Sequence, residues 1–214
     1  MKCLVVVIWV VWFGLCGQPA RAEVEYAQGI ARVRGNLKTV DAVKLDEILA
    51  NNYIEKIIFG DSLGGTAEAA FNFMEVIKRY KAKTEVDGKC FSACALAFIA
   101  GSERRFHKGR QINLLMFHMG RTQKNKLIQE YDENERLFRL LDEATDGRLK
   151  EPVRSLIRKA WTPEAGVLFT SAPSFFGRKY QTFYCNGEQK VDFNKCQFIE
   201  NSNALELGIV TGLD

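Results

Sequence analysis

The sequence predicts an α/β fold with a parallel β-α-β core and a C-terminal β-hairpin. Apolar runs typical of buried strands alternate with segments whose apolar residues recur every three or four positions, as in helices. One of these strands leads through a turn containing Gly60, Gly64 and Gly65 directly into a helix, which is half of a β-α-β unit. Near the end of the chain, Asn186-Gly187 favours a type I′ turn and therefore predicts a hairpin.

Each predicted element has its own signal in the chain. Short runs that contain β-branched or aromatic residues predict strands at residues 30–33, 54–59, 83–86 and 112–117. Helical periodicity predicts a helix that begins at Thr39, and further helices after Thr66, after Ser92 and over residues 124–144 and 150–161. The hairpin strands are residues 180–185 and 188–193, and residues 204–210 predict a helical turn followed by a last short strand.

Residues 1–22 have the pattern of a secretory signal peptide. Lys2 precedes an apolar run over residues 3–17, and Ala20-Arg21-Ala22 matches the small-x-small pattern of a cleavage site. The run is too short to span a bilayer comfortably, so an uncleaved anchor is only the alternative. We therefore expect cleavage after Ala22 and a single periplasmic or secreted α/β domain over residues 23–214.

Charge and cysteine content restrict the partners of this domain. Without residues 1–22 the chain carries 28 basic and 26 acidic residues, scattered rather than clustered, so no nucleic-acid partner is expected. Four cysteines remain, and an even number in an exported protein suggests disulfides, for which three connectivities exist. Pairing within the local pairs Cys90–Cys94 and Cys185–Cys196 is the hypothesis, and a bond from Cys90 to the C-terminal pair is the alternative. No histidine lies near either pair at ligand spacing, so no metal is expected.

The stretch around Ser92 carries the strongest functional signal. This serine lies between two cysteines at the start of an alanine-rich apolar run, which predicts a helix that is apolar on every side and therefore buried. Such a helix directs its free N–H groups towards the serine, and that arrangement can activate a hydroxyl or bind an oxyanion. The alternative is a serine that only caps a core helix.

Three features are predicted to follow successive strands, at the edge where open α/β sheets place their ligands. They are the pair Gly64-Gly65, Ser92 and His118. A hydroxyl nucleophile needs a base and N–H donors for the oxyanion, so Ser92 and His118 are the candidate nucleophile and base. The N–H groups of Gly64 or Gly65 and of Ala93 are the candidate donors. The alternatives are a tight turn for the glycines and a structural role for the histidine.

Several segments together resemble the proteolytic subunit of Clp protease, in the ClpP/crotonase superfamily. Ser62-Leu63-Gly64-Gly65 is similar to its Ser-Pro-Gly-Gly segment, and Ser92-Ala93-Cys94-Ala95 to its nucleophile helix. Leu115-Met116-Phe117-His118 resembles the path to its histidine, and residues 204–210 its closing segment. The resemblance is to a secreted branch with Cys-x-Ser-Ala-Cys, and it implies a ClpP/crotonase-like α/β fold.

The resemblance implies Ser92 as nucleophile, His118 as base, and Gly64 and Ala93 as oxyanion donors. The family's third triad member is an aspartate, and Cys196 falls at that position in this chain.

Other acids must therefore be considered for the third position. Asp192 is the nearest acid in the sequence. Asp142 or Asp146 would serve only if the helices fold back.

These observations predict an exported serine hydrolase, a peptidase or less likely an esterase, that acts on a peptide or small ester without a cofactor. The alternative is a catalytically inactive relative that binds peptide or has a structural role. A crotonase-type acyl-coenzyme-A enzyme shares the fold in outline but would not need export. No ATPase partner is expected outside the cytosol, and a homo-oligomer is compatible with the sequence.

The signal-peptide hypothesis predicts that the exported protein begins at Glu23. Signal peptidase cleaves after the small residue that ends such a motif, which here is Ala22. Intact-mass measurement of the exported protein checks this. A mass that still includes Met1 would instead indicate the uncleaved anchor.

Overall fold

The computed structural model describes residues 22–109, 112–119, 131–160, 165–171, 180–187 and 195–212. These ranges contain ten strands and five helices. The strands are β1 Glu23–Ala27, β2 Ile30–Arg34, β3 Lys56–Gly60, β4 Thr84–Val86, β5 Lys89–Phe91, β6 Arg104–Phe106, β7 Asn113–Phe117, β8 Ala165–Ser171, β9 Tyr180–Asn186 and β10 Gln197–Phe198. The helices are α1 Thr39–Asn51, α2 Ala67–Tyr80, α3 Ala93–Ile99, α4 Tyr131–Thr145 and α5 Glu151–Lys159.

The strands form two five-stranded sheets. The first has the order β1-β2-β3-β4-β6, with parallel pairing from β2 to β6 and an antiparallel β1 at its edge. The second has the order β10-β9-β8-β7-β5, in which only β5 and β7 are parallel. The prediction of an α/β fold with parallel β-α-β units is confirmed.

A short bridge after β3 joins the two sheets. Ser62 pairs with Cys90 of β5 in a parallel bridge. The N–H of Ser62 donates to the Lys89 carbonyl at 2.9 Å, and the N–H of Phe91 donates to the Ser62 carbonyl at 3.1 Å. The chain after β3 therefore leaves the first sheet and continues beside the second.

The bridge corrects the predicted placement of the site. We expected the glycine pair, Ser92 and His118 to follow successive strands of one sheet. Instead the glycine pair follows β3 of the first sheet, whereas Ser92 follows β5 and His118 follows β7 of the second. β5 has only three residues, too few for a period-two pattern to show in the sequence.

Most predicted elements are present with small shifts at their ends. The four predicted core strands correspond to β2, β3, β4 and β7. Strands β1, β5, β6, β8 and β10 were not predicted, and the last strand expected within residues 204–210 is a turn instead. The first part of the predicted helix 124–144 lies outside the described residues, as does the predicted signal peptide up to residue 21. Among the described helices, none is long and apolar enough to cross a membrane.

Only part of the predicted C-terminal hairpin lies within the described residues. Its first strand is β9, but the predicted second strand, residues 188–193, lies outside the described residues. At Phe183 and Tyr184 both edges of β9 are already occupied, by β8 on one side and by β10 on the other. Since Gln197 lies opposite Tyr184, the next position of that register places Cys196 opposite Cys185. The Cys185–Cys196 disulfide closes this pairing, with a Cα–Cα distance of 4.7 Å.

Helix α3 is the buried centre of the fold, as its apolar sequence predicts. Every residue of it except Leu96 is buried. It contacts β4 of the first sheet and β5 and β7 of the second, and it also packs against α2. Its C-terminal end approaches β4 so closely that a Cβ on Gly101 would lie 2.1 Å from Thr84 Oγ1. Close packing on this side therefore requires glycine at position 101.

A buried arginine on β6 binds carbonyl groups from three separate segments of the chain. Arg104 is 6% exposed, and its guanidinium donates to four carbonyl oxygens. These belong to Gly101, Ala144, Gly208 and Ile209, at 2.8, 2.6, 2.9 and 3.0 Å. The cation thereby links the ends of α3 and α4 to the C-terminal turn, where helix carbonyls carry partial negative charge.

Burial lowers the pKa of Arg104, and the nearby charge of Arg148 lowers it further, whereas Asp146 acts in the opposite direction. A guanidinium nevertheless keeps its charge in proteins, so the four hydrogen bonds are charge-assisted.

Replacing Arg104 by methionine is expected to lower the free energy of unfolding by about 3 kcal/mol or more, because several buried carbonyls lose their donor. Arg105→Met is the matched control on the same strand. The Arg105 side chain is 44% exposed, and its ion pair within the described ranges is with Glu103, so its loss should cost about 1 kcal/mol or less. Urea denaturation of the disulfide-bonded protein measures both, and equal effects would contradict the role of Arg104.

Candidate active site

A sharp strand-to-helix turn places Ser92 between the two sheets. β5 ends at Phe91 and α3 begins at Ala93, so Ser92 is the single residue between them. Its backbone angles are φ 54° and ψ −122°. Residues other than glycine rarely adopt a positive φ, and this backbone conformation costs about 1–3 kcal/mol of stability. Such a conformation persists only where surrounding contacts enforce it.

Contacts on several sides hold this turn. The N–H of Ser92 donates to the Met116 carbonyl of β7 at 2.9 Å, and the Ser92 carbonyl accepts from the N–H of Leu96 at 3.1 Å. The disulfide between Cys90 and Cys94 spans the serine, with a Cα–Cα distance of 5.2 Å. Both predicted local disulfides are therefore present.

The Ser92 hydroxyl does not cap α3. The residue precedes the helix, but its side chain accepts no hydrogen bond from the first turn. The side chain is partly exposed, and Oγ makes no hydrogen bond within the described part of the chain. The alternative interpretation, a capping serine, is therefore wrong for this position.

The glycine pair passes directly beside the serine. Gly64 has φ 124°, and a Cβ built on it would lie 2.8 Å from Ser92 Cβ and 3.3 Å from Ser92 Oγ. A Cβ on Gly65 would lie 2.3 Å from the Leu37 carbonyl oxygen. The Leu37 N–H also donates to the Gly64 carbonyl, at 2.7 Å. Close approach on both sides therefore requires glycine at both positions.

The N–H groups of this region differ in their partners. The Gly64 N–H is 3.3 Å from Oγ of Ser62, a buried serine that the sequence analysis did not single out. The N–H groups of Gly65 and Ala93 make no hydrogen bond within the described residues. Of the two glycines, Gly65 therefore has the N–H that can donate to a ligand.

His118 directly follows β7, at the same end of the second sheet as Ser92. In the parallel pair β5–β7, Phe91 lies opposite Met116, so both chains run out of neighbouring strands together. The imidazole is partly buried, and its Nδ1 lies 2.7 Å from the Met119 carbonyl oxygen. The nucleophile and base predicted from the sequence thus follow adjacent strands.

Two of the three candidate acids pair with arginines. Asp142 forms an ion pair with Arg154 of α5. Asp146 is exposed and lies 3.8 Å from Arg148. Asp192 lies outside the described residues.

A polar cleft of about 290 Å³ lies on the first sheet, away from Ser92. There His107 Nδ1 contacts Glu85 at 2.5 Å, and Lys56 contacts the same carboxylate at 3.0 Å. These three side chains therefore interact with one another. Within the described residues, no three or more histidine, cysteine or acidic side chains are grouped as metal ligands would be.

Comparison with known proteins finds similarity among solved structures. No family model and no curated protein matches the chain. Among solved structures, a point mutant of ClpP1 from Listeria monocytogenes is 16% identical, with 87% of this chain and 91% of that chain covered. Its TM-score is 0.47. At that level the similarity carries no argument about this protein, so the site is interpreted from its own geometry.

Gly64→Ala is expected to destabilise the protein through its clash with Ser92, by about 2 kcal/mol or more beyond the backbone strain. Gly109→Ala is the matched control, because Gly109 also has a positive φ, 98°, but nothing lies within 4 Å of its added Cβ. The control should cost only about 1 kcal/mol. Denaturant unfolding measures the free energy of unfolding of both variants. Equal losses would show that Ser92 can move away from the added Cβ at little cost.

Proposed function

We propose that this protein is an exported serine hydrolase in which Ser92 is the nucleophile and His118 the base. One observation carries the proposal. A serine with positive φ forms a one-residue turn between a strand and a helix, and its hydroxyl is not used by the fold. Glycine would adopt this backbone conformation without the cost in stability. If the turn had only a structural role, glycine would therefore suit it better than serine. Strained positions of this kind cluster at functional sites, and a serine on a sharp strand-to-helix turn is a recurrent nucleophile geometry.

The proposed reaction is acyl transfer to the serine. Ser92 Oγ attacks the carbonyl carbon of a peptide or ester, and its proton passes to the His118 imidazole. The carbonyl electron pair moves to the oxygen, which accepts hydrogen bonds from the N–H groups of Gly65 and Ala93. When the intermediate collapses, the leaving amine or alcohol takes the proton from the imidazole. Water then hydrolyses the acyl-serine by the same steps, without a cofactor.

Ser62 supports this arrangement as a positioning residue. Its hydroxyl engages the Gly64 N–H, and its main chain pairs with β5 next to the Ser92 turn. The same residue thus couples the orientation of the glycine pair to the position of the nucleophile. Rigid support of this kind is what a preorganised oxyanion site requires.

A peptide is the preferred substrate class because the motifs around Ser62, Ser92 and His118 resemble a peptidase, and an ester is the alternative. The proposed location is the periplasm or the exterior, where disulfides persist. Two disulfides in the described chain are typical of an oxidising compartment. Residues 1–22 are proposed as the cleaved signal and residues 23–214 as the single domain.

The second candidate function is that of an inactive relative that binds peptide in the same place. The observation that favours it is that Asp142 and Asp146, two candidates for the orienting acid, form ion pairs with Arg154 and Arg148. A triad base that loses its acid is ordinarily much weaker. Reactivity of the serine distinguishes the two candidates.

A fluorophosphonate probe is expected to label the protein once, on Ser92, because only a hydroxyl paired with a base reacts appreciably. Ser92→Ala should abolish labelling. His118→Ala should slow it by roughly 100-fold or more. Mass spectrometry of the adduct and the labelling rate are the measurements.

Matched controls are available for both substitutions. Ser102 is an exposed serine bonded to the Lys81 carbonyl, and His107 is the second of the two histidines in the chain. Ser102→Ala and His107→Gln should keep the wild-type labelling rate. The labelling is tested between about pH 6 and 9, a range that includes pH values at which histidine is ordinarily neutral. If folded wild-type protein stays unlabelled throughout, the hydrolase proposal is wrong and the inactive relative remains.

A further inference from the structure

We infer that formation of the Cys90–Cys94 disulfide activates the proposed hydrolase, because Ser92 reaches its reactive geometry only after the two thiols are oxidised. This regulation rests on the proposed function and acts on the same site. In the reducing cytosol the two thiols stay unpaired and the precursor is inactive, whereas oxidation after export completes the nucleophile. Cys90 and Cys94 are positioning residues, since they act on a substrate only through the turn that they span.

The disulfide encloses the reactive groups in a small ring of the chain. Cys90 is the middle residue of β5 and Cys94 the second residue of α3, so three residues lie between them. Two of the three are Ser92, the proposed nucleophile, and Ala93, whose N–H is a proposed oxyanion donor. Opening the ring therefore affects both groups at once.

The disulfide excludes an extended continuation of β5. Four residues of strand span about 13 Å, whereas the Cα atoms of Cys90 and Cys94 are 5.2 Å apart. The chain must therefore turn sharply between the two cysteines, and the positive φ of Ser92 is part of that turn. Because this φ is unfavourable for serine, a chain without the disulfide is driven to leave it.

Two hydrogen bonds hold the strand side of the turn. The N–H of Phe91 donates to the Ser62 carbonyl, and the N–H of Ser92 donates to the Met116 carbonyl. The disulfide instead joins the first turn of α3 directly to β5. A seven-residue helix has little stability of its own. Loss of the disulfide should therefore release the start of α3, including Ala93, while β5 stays paired.

The activation step is a thiol–disulfide exchange. One cysteine thiolate attacks the disulfide of an oxidant in the exporting compartment, and the second thiolate then attacks the mixed disulfide and releases the oxidant as a dithiol. The cysteine pair thereby loses two electrons and two protons, which the oxidant gains. Cys90 and Cys94 are both 0% exposed in the folded protein. The bond therefore forms while the exported chain folds, and reductants do not reach it afterwards.

Mass spectrometry measures the disulfide and the serine adduct on one peptide. Trypsin cleaves after Lys89 and Arg104, and the peptide between them contains both cysteines and Ser92. The mature protein is refolded at graded glutathione ratios, and its folded fraction is treated with the fluorophosphonate and then alkylated in denaturant. Peptides with the disulfide should be labelled about 100-fold faster than peptides with two alkylated thiols, since a small displacement of the nucleophile costs about that much. Equal rates would overturn the inference.

A double variant removes the disulfide without any reductant. Folded Cys90→Ala/Cys94→Ala should label about 100-fold more slowly than the wild type. Cys185→Ala/Cys196→Ala is the matched control, because it removes the other disulfide, and its folded form should keep the wild-type rate. Urea unfolding identifies the folded variants, and the peptide comparison decides the question if one of them does not fold. Equal labelling of the two folded variants would show that the disulfides contribute only stability.

Hydrogen exchange tests the turn even if the serine is unreactive. The N–H of Leu96 donates to the Ser92 carbonyl at 3.1 Å. Its exchange should be at least about tenfold faster in Cys90→Ala/Cys94→Ala than in the wild type, and unchanged in the control variant. Unchanged exchange in both variants would overturn the inference. Faster exchange without labelling of any form would uphold the control of the turn by the disulfide and overturn the hydrolase alone.

Discussion

The one-residue turn at Ser92 is the constraint around which the two sheets are arranged. Its positive φ is unfavourable for serine, so neighbouring contacts must enforce it. They come from the segment after β3, through the Ser62 carbonyl, and from β7, through the Met116 carbonyl. Gly64 lies against the serine where no Cβ fits. The same contacts therefore connect the two sheets and fix the backbone geometry of the candidate nucleophile.

Helix α3 helps to fix the position of Ser92 because the helix is anchored at both of its ends. At its start, the Cys90–Cys94 disulfide ties the helix to β5. Past its end, Gly101 packs on β4 and its carbonyl accepts from Arg104, which also holds the C-terminal turn. A seven-residue helix has little stability of its own. Its position depends on this burial and anchoring, and so does the position of the serine.

The candidate base contacts the main chain of its own neighbour. Nδ1 of His118 lies 2.7 Å from the Met119 carbonyl oxygen. No sequence signal identifies this contact, because every residue carries a carbonyl. Ser62 was quoted only as part of a motif, and its contact with Gly64 gives it a separate positioning role.

The sequence by itself determined the α/β class, the local disulfide pairs and the buried helix after Ser92, since these depend on hydrophobic periodicity and on neighbours along the chain. Only the tertiary structure decided that the strands divide into two sheets and that β10 pairs with Phe183 and Tyr184 of β9. Strands as short as β5 and β6 leave no periodic signal, and seven-residue β8 is buried throughout without alternation. Pairing between distant strands depends on which edges remain free after packing. For the same reason, the approach of Gly64 to Ser92 became visible only in three dimensions.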